Sequence, residues 1–180
     1  MTSRSRSPLA GSTYFFTIVA HQRRPIFCNP VIRTSLAKAV QLVRASRPFV
    51  VDAWVLLPDH MHCMWTLPEG DLDYAARWLA IKRYVASDVG RRLQEAAFAD
   101  PSPHHRREVT LWQRQFWEHP IHDDHDFERH MDYLHFDPVK HGQAARVRDW
   151  PHSTFHRHVR EGSYPPDWHG SEDIAKMLLG

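Results

Sequence analysis

An apolar run that is broken by a turn and then resumes constrains the fold of this chain more than any other segment. Residues Phe49 to Leu57 are almost continuously apolar. The run is too short for a buried helix and therefore predicts a strand with little solvent exposure. Pro58 and Asp59 supply a turn, and His60 to Leu67 continues as the hairpin partner. We therefore predict a β-hairpin in the centre of the fold.

The second strand of this hairpin carries two histidines, His60 and His62, separated by one residue. Because side chains alternate across a strand, both histidines and Met64 share one face, while Met61 and Cys63 share the other. Neutral imidazole is a common metal ligand, so the pair can form half of a metal site. The chain has 15 histidines, and a chance pair near a turn is the simpler explanation until a third ligand is found.

Strands and helices alternate along the chain in the order β-α-β-β-α-β-α. Aromatic and β-branched residues predict strands over 14–20 and 111–119, in addition to the hairpin. Helical periodicity predicts helices over 30–46, 71–89 and 123–137. This order indicates an α+β fold, in which an antiparallel sheet with a ferredoxin-like βαββαβ arrangement carries its helices on one face.

Capping residues support the predicted helix ends. Asn29 is a favoured N-cap and is followed by Pro30 at the first helical position. Asp71 can cap the second helix, which Gly90 would end. In the third helix, Pro138 disfavours helical geometry at the residue before it and should therefore end the helix.

Length and composition limit the classes of protein to which the chain can belong. A chain of 180 residues fits one domain with a tail. We expect a disordered basic arm over 1–12, a main domain over 13–145, and an extension over 146–180 packed on the same domain. No stretch is apolar enough to span a bilayer, and no apolar signal segment follows the first basic residues. The two cysteines make no disulfide framework, so we expect a cytoplasmic protein.

A candidate third ligand lies on the third predicted helix. Tyr133 and Asp137 are four residues apart and project from the same side of that helix. If this side faces His60 and His62, two imidazoles and one carboxylate converge on a metal, with a phenol beside them. Three protein ligands leave open positions, as in catalytic metal sites. Spacing alone leaves open that Tyr133 is an ordinary tyrosine of an amphipathic helix.

Three segments resemble one family of enzymes. The stretch Trp54 to Trp65, with its His-Met-His, resembles the signature of single-tyrosine HUH transposases, and Asp132 to Gly142 resembles the tyrosine-helix motif of that group. The later segment Asp149 to Arg157 is similar to the REP-associated tyrosine transposases. The similarity runs from about Tyr14 to Trp168, with the three motifs in the expected order, and makes 13–145 the HUH transposase-like catalytic domain.

The resemblance implies a role for each motif residue. His60 and His62 match the histidine pair that binds a divalent metal, and Tyr133 matches the catalytic nucleophile. Asp137 stands where relatives carry an amide as the third metal ligand, which is a departure from the family pattern. The implied cofactor is Mg²⁺ or Mn²⁺. The implied reaction is transesterification of single-stranded DNA through a 5′-phosphotyrosine intermediate, without an external energy source.

The resemblance also implies hairpin DNA from REP palindromes as the partner, and a nucleoid-associated location. The net charge is only +2, but basic residues cluster locally, and such clusters can neutralise phosphates or simply form a solvated surface. Eight residues are candidates for DNA contact: Arg4, Arg6, Arg23, Arg24, Lys82, Arg83, Arg114 and Lys140. Exposed aromatic platforms are a further possibility, although Trp112, Phe116 and Trp117 are more typical of a core. We expect a monomer, with a dimer as the alternative.

Two other functions remain open at this point. The first is a DNA-binding architectural protein that keeps the fold but has lost cleavage. The second, which does not depend on the resemblance, is a zinc hydrolase that uses His60 and His62 and does not need Tyr133. A second zinc-like site among His119, His122, His125 and His130 is a weaker hypothesis, since no cysteine lies nearby.

Overall fold

Four antiparallel strands form the centre of the computed structural model, which describes residues 11–99, 110–171 and 174. The strands lie side by side in the order β2-β3-β1-β4 and all pair antiparallel. The predicted α+β class and ferredoxin-like arrangement are therefore confirmed. The strands are β1 (Thr13–Val19), β2 (Val50–Leu56), β3 (His60–Thr66) and β4 (Trp117–Pro120).

Helices α1 (Pro30–Ser46) and α3 (Asp124–Lys140) begin where a side chain caps the first turn. The side chain of Asn29 accepts a hydrogen bond from the backbone N–H of Val31, and that of Asp123 accepts one from Asp126. Each cap satisfies a backbone donor that has no partner inside its helix. The helices are α1 (Pro30–Ser46), α2 (Tyr74–Ala99), α3 (Asp124–Lys140) and α4 (Phe155–Arg160).

Three predicted helix boundaries are wrong. Asp71 does not start α2 but forms an ion pair with Arg77, at 2.7 Å between Oδ2 and Nη2, and α2 continues through Gly90. Pro138 does not end α3, which runs on to Lys140. A proline in the last turn removes one backbone donor, and the helix still closes because the N–H of His141 bonds the carbonyl oxygen of Asp137 at 3.0 Å.

The fourth strand is shorter than predicted. Only Trp117–Pro120 pairs with β1, while Trp112 makes an isolated bridge to Ala20. Pro120 is the last residue of a strand at the edge of the sheet, as expected for a residue that cannot donate to a ladder.

Helices cover both faces of the sheet, so the prediction that they share one face is wrong. Side chains of α1 and α2 pack with Met61, Cys63 and Trp65 of β3. On the opposite face, α3 packs against Phe15, Ala53, Val55 and Met64 through Phe127, Met131 and Leu134. The periodicity of α3 identified its buried stripe but not the sheet face that the stripe covers.

The segment after α3 covers the outer edge of β2. The N–H of Leu56 bonds the carbonyl of His152 at 2.9 Å, and the N–H of Thr154 bonds the carbonyl of Trp54 at 3.0 Å. The indole of Trp150 donates to the Leu56 carbonyl at 2.9 Å. An open sheet edge is a template for unwanted strand pairing, and this segment occupies it.

Within the described parts of the chain, every helix falls short of the length and apolar character that a bilayer crossing needs.

Candidate active site

Strand β3 places His60 and His62 side by side on the sheet face that α3 covers. Both side chains are buried, and their ring centroids lie 5.1 Å apart. Their neighbours Met61 and Cys63 point into the opposite core. The alternation predicted from the sequence is therefore the one that the strand adopts.

Helix α3 brings Asp137 to both histidines. Its Oδ2 lies 3.0 Å from Nε2 of His60 and 3.2 Å from Nε2 of His62. The Asp137 side chain is fully buried, and its Oδ1 has no hydrogen-bond partner. His141, which the sequence analysis did not select, approaches this oxygen with Nε2 at 3.4 Å. Two imidazoles and one carboxylate thus converge within a single chain.

The protonation states follow from burial and hydrogen bonding. Burial alone would raise the pKa of Asp137, but hydrogen bonds from His60 and His62 hold that pKa well below its ordinary value. Burial likewise opposes the charged form of His60, yet its hydrogen bonds to Asp137 and Asp59 raise its pKa. The pKa of His62 is lowered, because burial dominates there. Asp137 is consequently an anion, paired with a His60 that lies between two carboxylates.

A second layer of side chains orients the two imidazoles. Nδ1 of His60 lies 2.7 Å from Oδ1 of Asp59, and Nδ1 of His62 lies 2.8 Å from Oγ1 of Thr17. Such partners of the distal nitrogen fix the tautomer and direct the other nitrogen toward a ligand. No sequence pattern marks Thr17 as part of the site. Pairing of β1 with β3 would have identified it, since Thr17 is the register partner of His62.

Tyr133 lies beside this cluster on the same helix. Its ring centroid is 5.6 Å from that of His62 and 6.2 Å from that of Phe15. The phenolic oxygen accepts a hydrogen bond from Nζ of Lys140 at 3.1 Å, and the same ammonium lies 4.8 Å from the ring centroid. The structure therefore brings together all the residues that the sequence analysis placed in the site.

The donor set fits a divalent metal. Imidazole nitrogens are suitable ligands for zinc, and carboxylate oxygens are suitable ligands for manganese and magnesium. Oδ1 of Asp137 accepts no hydrogen bond and is a buried acceptor that a cation would satisfy. His60, Asp137 and His141 each offer a ligand atom, all within 4.8 Å of one another.

The candidate DNA contacts lie in different places. Lys140 is at the site, and Arg23 pairs with Asp59 at 3.1 Å. Lys82 lies over the ring of Phe116, on the face of α1 and α2, where burial lowers its pKa to about 8. The remaining candidates divide as follows: Arg24 bonds the Thr110 carbonyl, Arg83 and Arg114 are exposed, and Arg4 and Arg6 lie outside the described residues.

A second histidine group lies at the start of α3. His119 and His122 come together with Asp126, their ligand atoms within 4.8 Å of one another, whereas the hypothesis from the sequence had included His125. Oδ2 of Asp126 already accepts from Nε2 of His119 at 2.9 Å and from the N–H of His122 at 3.0 Å. His130 is 3.0 Å from its Oδ1. Hydrogen bonding alone accounts for this arrangement.

Comparison with known proteins identifies the family. No protein-family model matches the chain. The REP-associated tyrosine transposase of Escherichia coli (strain K12) is 41% identical over 180 residues, which cover 100% of this chain and 97% of that protein. The chain belongs to the REP-associated tyrosine transposases.

Further relatives of this REP-associated tyrosine transposase agree with the assignment. A protein of Haemophilus influenzae that is named for the same family is 37% identical over 174 residues, with 97% of each chain covered. The solved structure of a REP-associated tyrosine transposase bound to a REP hairpin superposes with a TM-score of 0.70 at 39% identity. That match covers 95% of this chain and 93% of the other. The segments that carry the family resemblance thus belong to a chain that is similar over its whole length.

Proposed function

We propose that this REP-associated tyrosine transposase nicks and rejoins single-stranded DNA beside REP-type hairpins, using Tyr133 as nucleophile and a divalent metal. The observation that carries the proposal is the position of Tyr133, whose ring lies 5.6 Å from that of His62 in the cluster of His60, His62 and Asp137. The relative that is bound to a REP hairpin supports the substrate. Because one chain holds all four residues, we also propose that a monomer is sufficient for cleavage.

His60, His62 and Asp137 would hold the metal, with Mg²⁺ or Mn²⁺ as the proposed ion. When bound, a divalent cation supplies Lewis-acid polarisation of a phosphoryl oxygen. Thr17 and Asp59 keep the two imidazoles in place through their distal nitrogens. Asp137 contributes a negative charge that attracts the cation, and His60 and His62 bind it as neutral imidazoles.

Tyr133 would attack the scissile phosphate. A bond forms between its phenolic oxygen and phosphorus, while the bond between phosphorus and the 3′ oxygen breaks. The phenol loses one proton and the departing 3′ oxygen gains one, so charge and protons balance. The product is a 5′-phosphotyrosine and a free 3′-hydroxyl, and attack by a 3′-hydroxyl reverses the step. A tyrosine needs activation to act as a nucleophile.

Lys140 is the residue placed to activate it. Its ammonium donates to the phenolic oxygen at 3.1 Å. A positive charge at this distance stabilises the negative charge that develops on the oxygen as its proton leaves. The same ammonium is exposed at its end of α3, where it can also contact the phosphate backbone.

The test is formation of a covalent protein–DNA adduct. A labelled REP-type hairpin with a single-stranded flank is incubated with the protein and Mg²⁺ or Mn²⁺. Wild type and Tyr84→Phe, a matched change on α2 across the sheet, should form the adduct, and Tyr133→Phe should form none. Cleavage that persists in Tyr133→Phe contradicts the nucleophile and favours a metal hydrolase. Tight hairpin binding without adduct in the wild type favours the architectural protein.

A further inference from the structure

An exposed tryptophan lies at the edge of the sheet close to the proposed active site. Trp117 on β4 is 54% exposed. Tryptophan is a large apolar side chain that usually finds a partner surface, so exposure of half of it needs an explanation. The sequence predicts a core position for Trp117, and the structure shows an exposed one.

Strand register places Trp117 in line with the histidine cluster. Thr17 of β1 is the register partner of Trp117 on one side and of His62 on the other. Register partners point to the same face of a sheet, so the side chains of Trp117, Thr17 and His62 form one cross-strand row. Two strand spacings separate the ends of this row, about 10 Å. Trp117 therefore lies beside the site, on the face that carries it.

The indole is held in a defined orientation by other rings. It stacks on His119 with an interplanar angle of 7° and a centroid distance of 5.8 Å. His119 in turn stacks on His130 at 4.5 Å, and Asp126 bonds both imidazoles. The edge of Phe15 meets the indole at 5.9 Å. A rigid aromatic ring loses little conformational freedom when a flat ligand stacks on it.

We propose that Trp117 is a stacking platform for an unpaired nucleobase of the DNA strand that is cut, at a nucleotide flanking the scissile phosphate. This inference rests on the proposed function, since it takes single-stranded DNA as the substrate. An exposed aromatic ring suits the π-face of one base, and such stacking tolerates different bases. The ammonium of Lys140 and the phenol of Tyr133 would contact the neighbouring phosphate. Base and phosphate would then be bound at adjacent parts of the sheet face that carries the histidine cluster.

Binding measurements in the Tyr133→Phe background test the inference, because they do not require cleavage. The substrates are a hairpin with a single-stranded flank, the same hairpin without the flank, and a series with one abasic site moved along the flank. Trp117→Ala should weaken binding of the flanked hairpin by about 5- to 150-fold, and Trp117→Phe should restore most of it. Leu79→Ala, an exposed apolar change on α2, should bind as the parent does.

The abasic series identifies stacking specifically. At one position the abasic site should weaken the parent as much as Trp117→Ala does, and the two changes together should cost no more than either alone. Thermal denaturation checks that each variant is folded. Equal binding of the flanked hairpin by Trp117→Ala and the parent, or losses that simply add at every abasic position, would overturn the inference. If the wild type forms no adduct but this coupling is found, the proposed cleavage fails and the base platform stands.

Discussion

Asp137 is the residue at which this chain departs from the pattern that its family resemblance implies. The resemblance implies an amide at this position, as third metal ligand; the carboxylate that stands there lies fully buried between two imidazoles. A buried anion is tolerated only when it is paired or hydrogen-bonded, and here Nε2 of His60 and Nε2 of His62 lie 3.0 and 3.2 Å from its Oδ2. The acid therefore belongs to a local charge balance, which an amide would change together with the affinity for metal.

Asp137→Asn tests this balance. The amide oxygen can still act as a ligand, but the loss of its negative charge weakens the attraction for a cation. We expect Tyr133-dependent adduct formation to persist, with the Mg²⁺ or Mn²⁺ concentration for half-maximal activity raised about tenfold or more. Metal titration of adduct formation measures this value. Asp124→Asn, in the first turn of the same helix, is the control, and an unchanged metal requirement in Asp137→Asn would contradict the assignment.

Helix α3 is the element that assembles the site. Its apolar stripe of Phe127, Met131 and Leu134 anchors it to the sheet, and the adjacent face presents Tyr133 and Asp137 to the histidines. Its first turn is fixed by Asp123, whose side chain accepts from the N–H of Asp126 at 2.8 Å. Stability of this one helix therefore determines whether Tyr133 and Asp137 remain in position against the histidines of β3.

The Asp123 cap can be removed with little other change. Asp123→Ala should lower the free energy of unfolding by about 1 kcal/mol, because a backbone donor at the helix start loses its acceptor. Asp123→Asn keeps an oxygen acceptor and should lose much less. Urea denaturation of the wild type and both variants gives the comparison. Equal losses in the two variants would show that the charge of Asp123, and not its capping bond, is responsible.

On the scale of the whole molecule, Asp52 ties the edge of the sheet to its neighbours. Its Oδ2 accepts from Oγ1 of Thr66 at 2.7 Å, and its backbone carbonyl accepts from His158 of α4 at 2.8 Å. Burial raises the pKa of Asp52 to about 6, against the lowering effects of the Thr66 hydrogen bond and the charge of Arg157. Because the pKa of Asp52 is higher in the folded protein than in the unfolded chain, folding favours the protonated acid.

This pKa predicts a pH dependence of stability. The contribution of protonated Asp52 to the free energy of unfolding is complete below about pH 4. It is lost as the pH rises through about 6. Relative to Asp52→Asn, which keeps an acceptor but does not titrate, the wild type should lose up to about 3 kcal/mol between pH 4 and pH 7. Denaturation of both proteins across this range measures the difference. A difference that does not change with pH would show that Asp52 titrates normally in the folded protein.

The sequence determined the features that depend on neighbouring residues. The hairpin, the cap at Asn29, the common face of His60 and His62, and the shared side of Tyr133 and Asp137 all follow from local geometry. Strand alternation and helical spacing set these relations within a few residues, whatever the rest of the chain does. Their chemical roles as ligand and nucleophile remain predictions.

Only the tertiary structure decided which elements meet. Both faces of β3 are buried, so its pattern could not show that α3 covers the face opposite α1 and α2. Thr17 and Trp117 were identified only through strand pairing, over separations of up to about a hundred residues. His141 approaches His60 of β3, with ring centroids 5.0 Å apart, only because the end of α3 packs there. Contacts of this kind depend on how the faces of separate elements pack together, and local periodicity does not encode that choice.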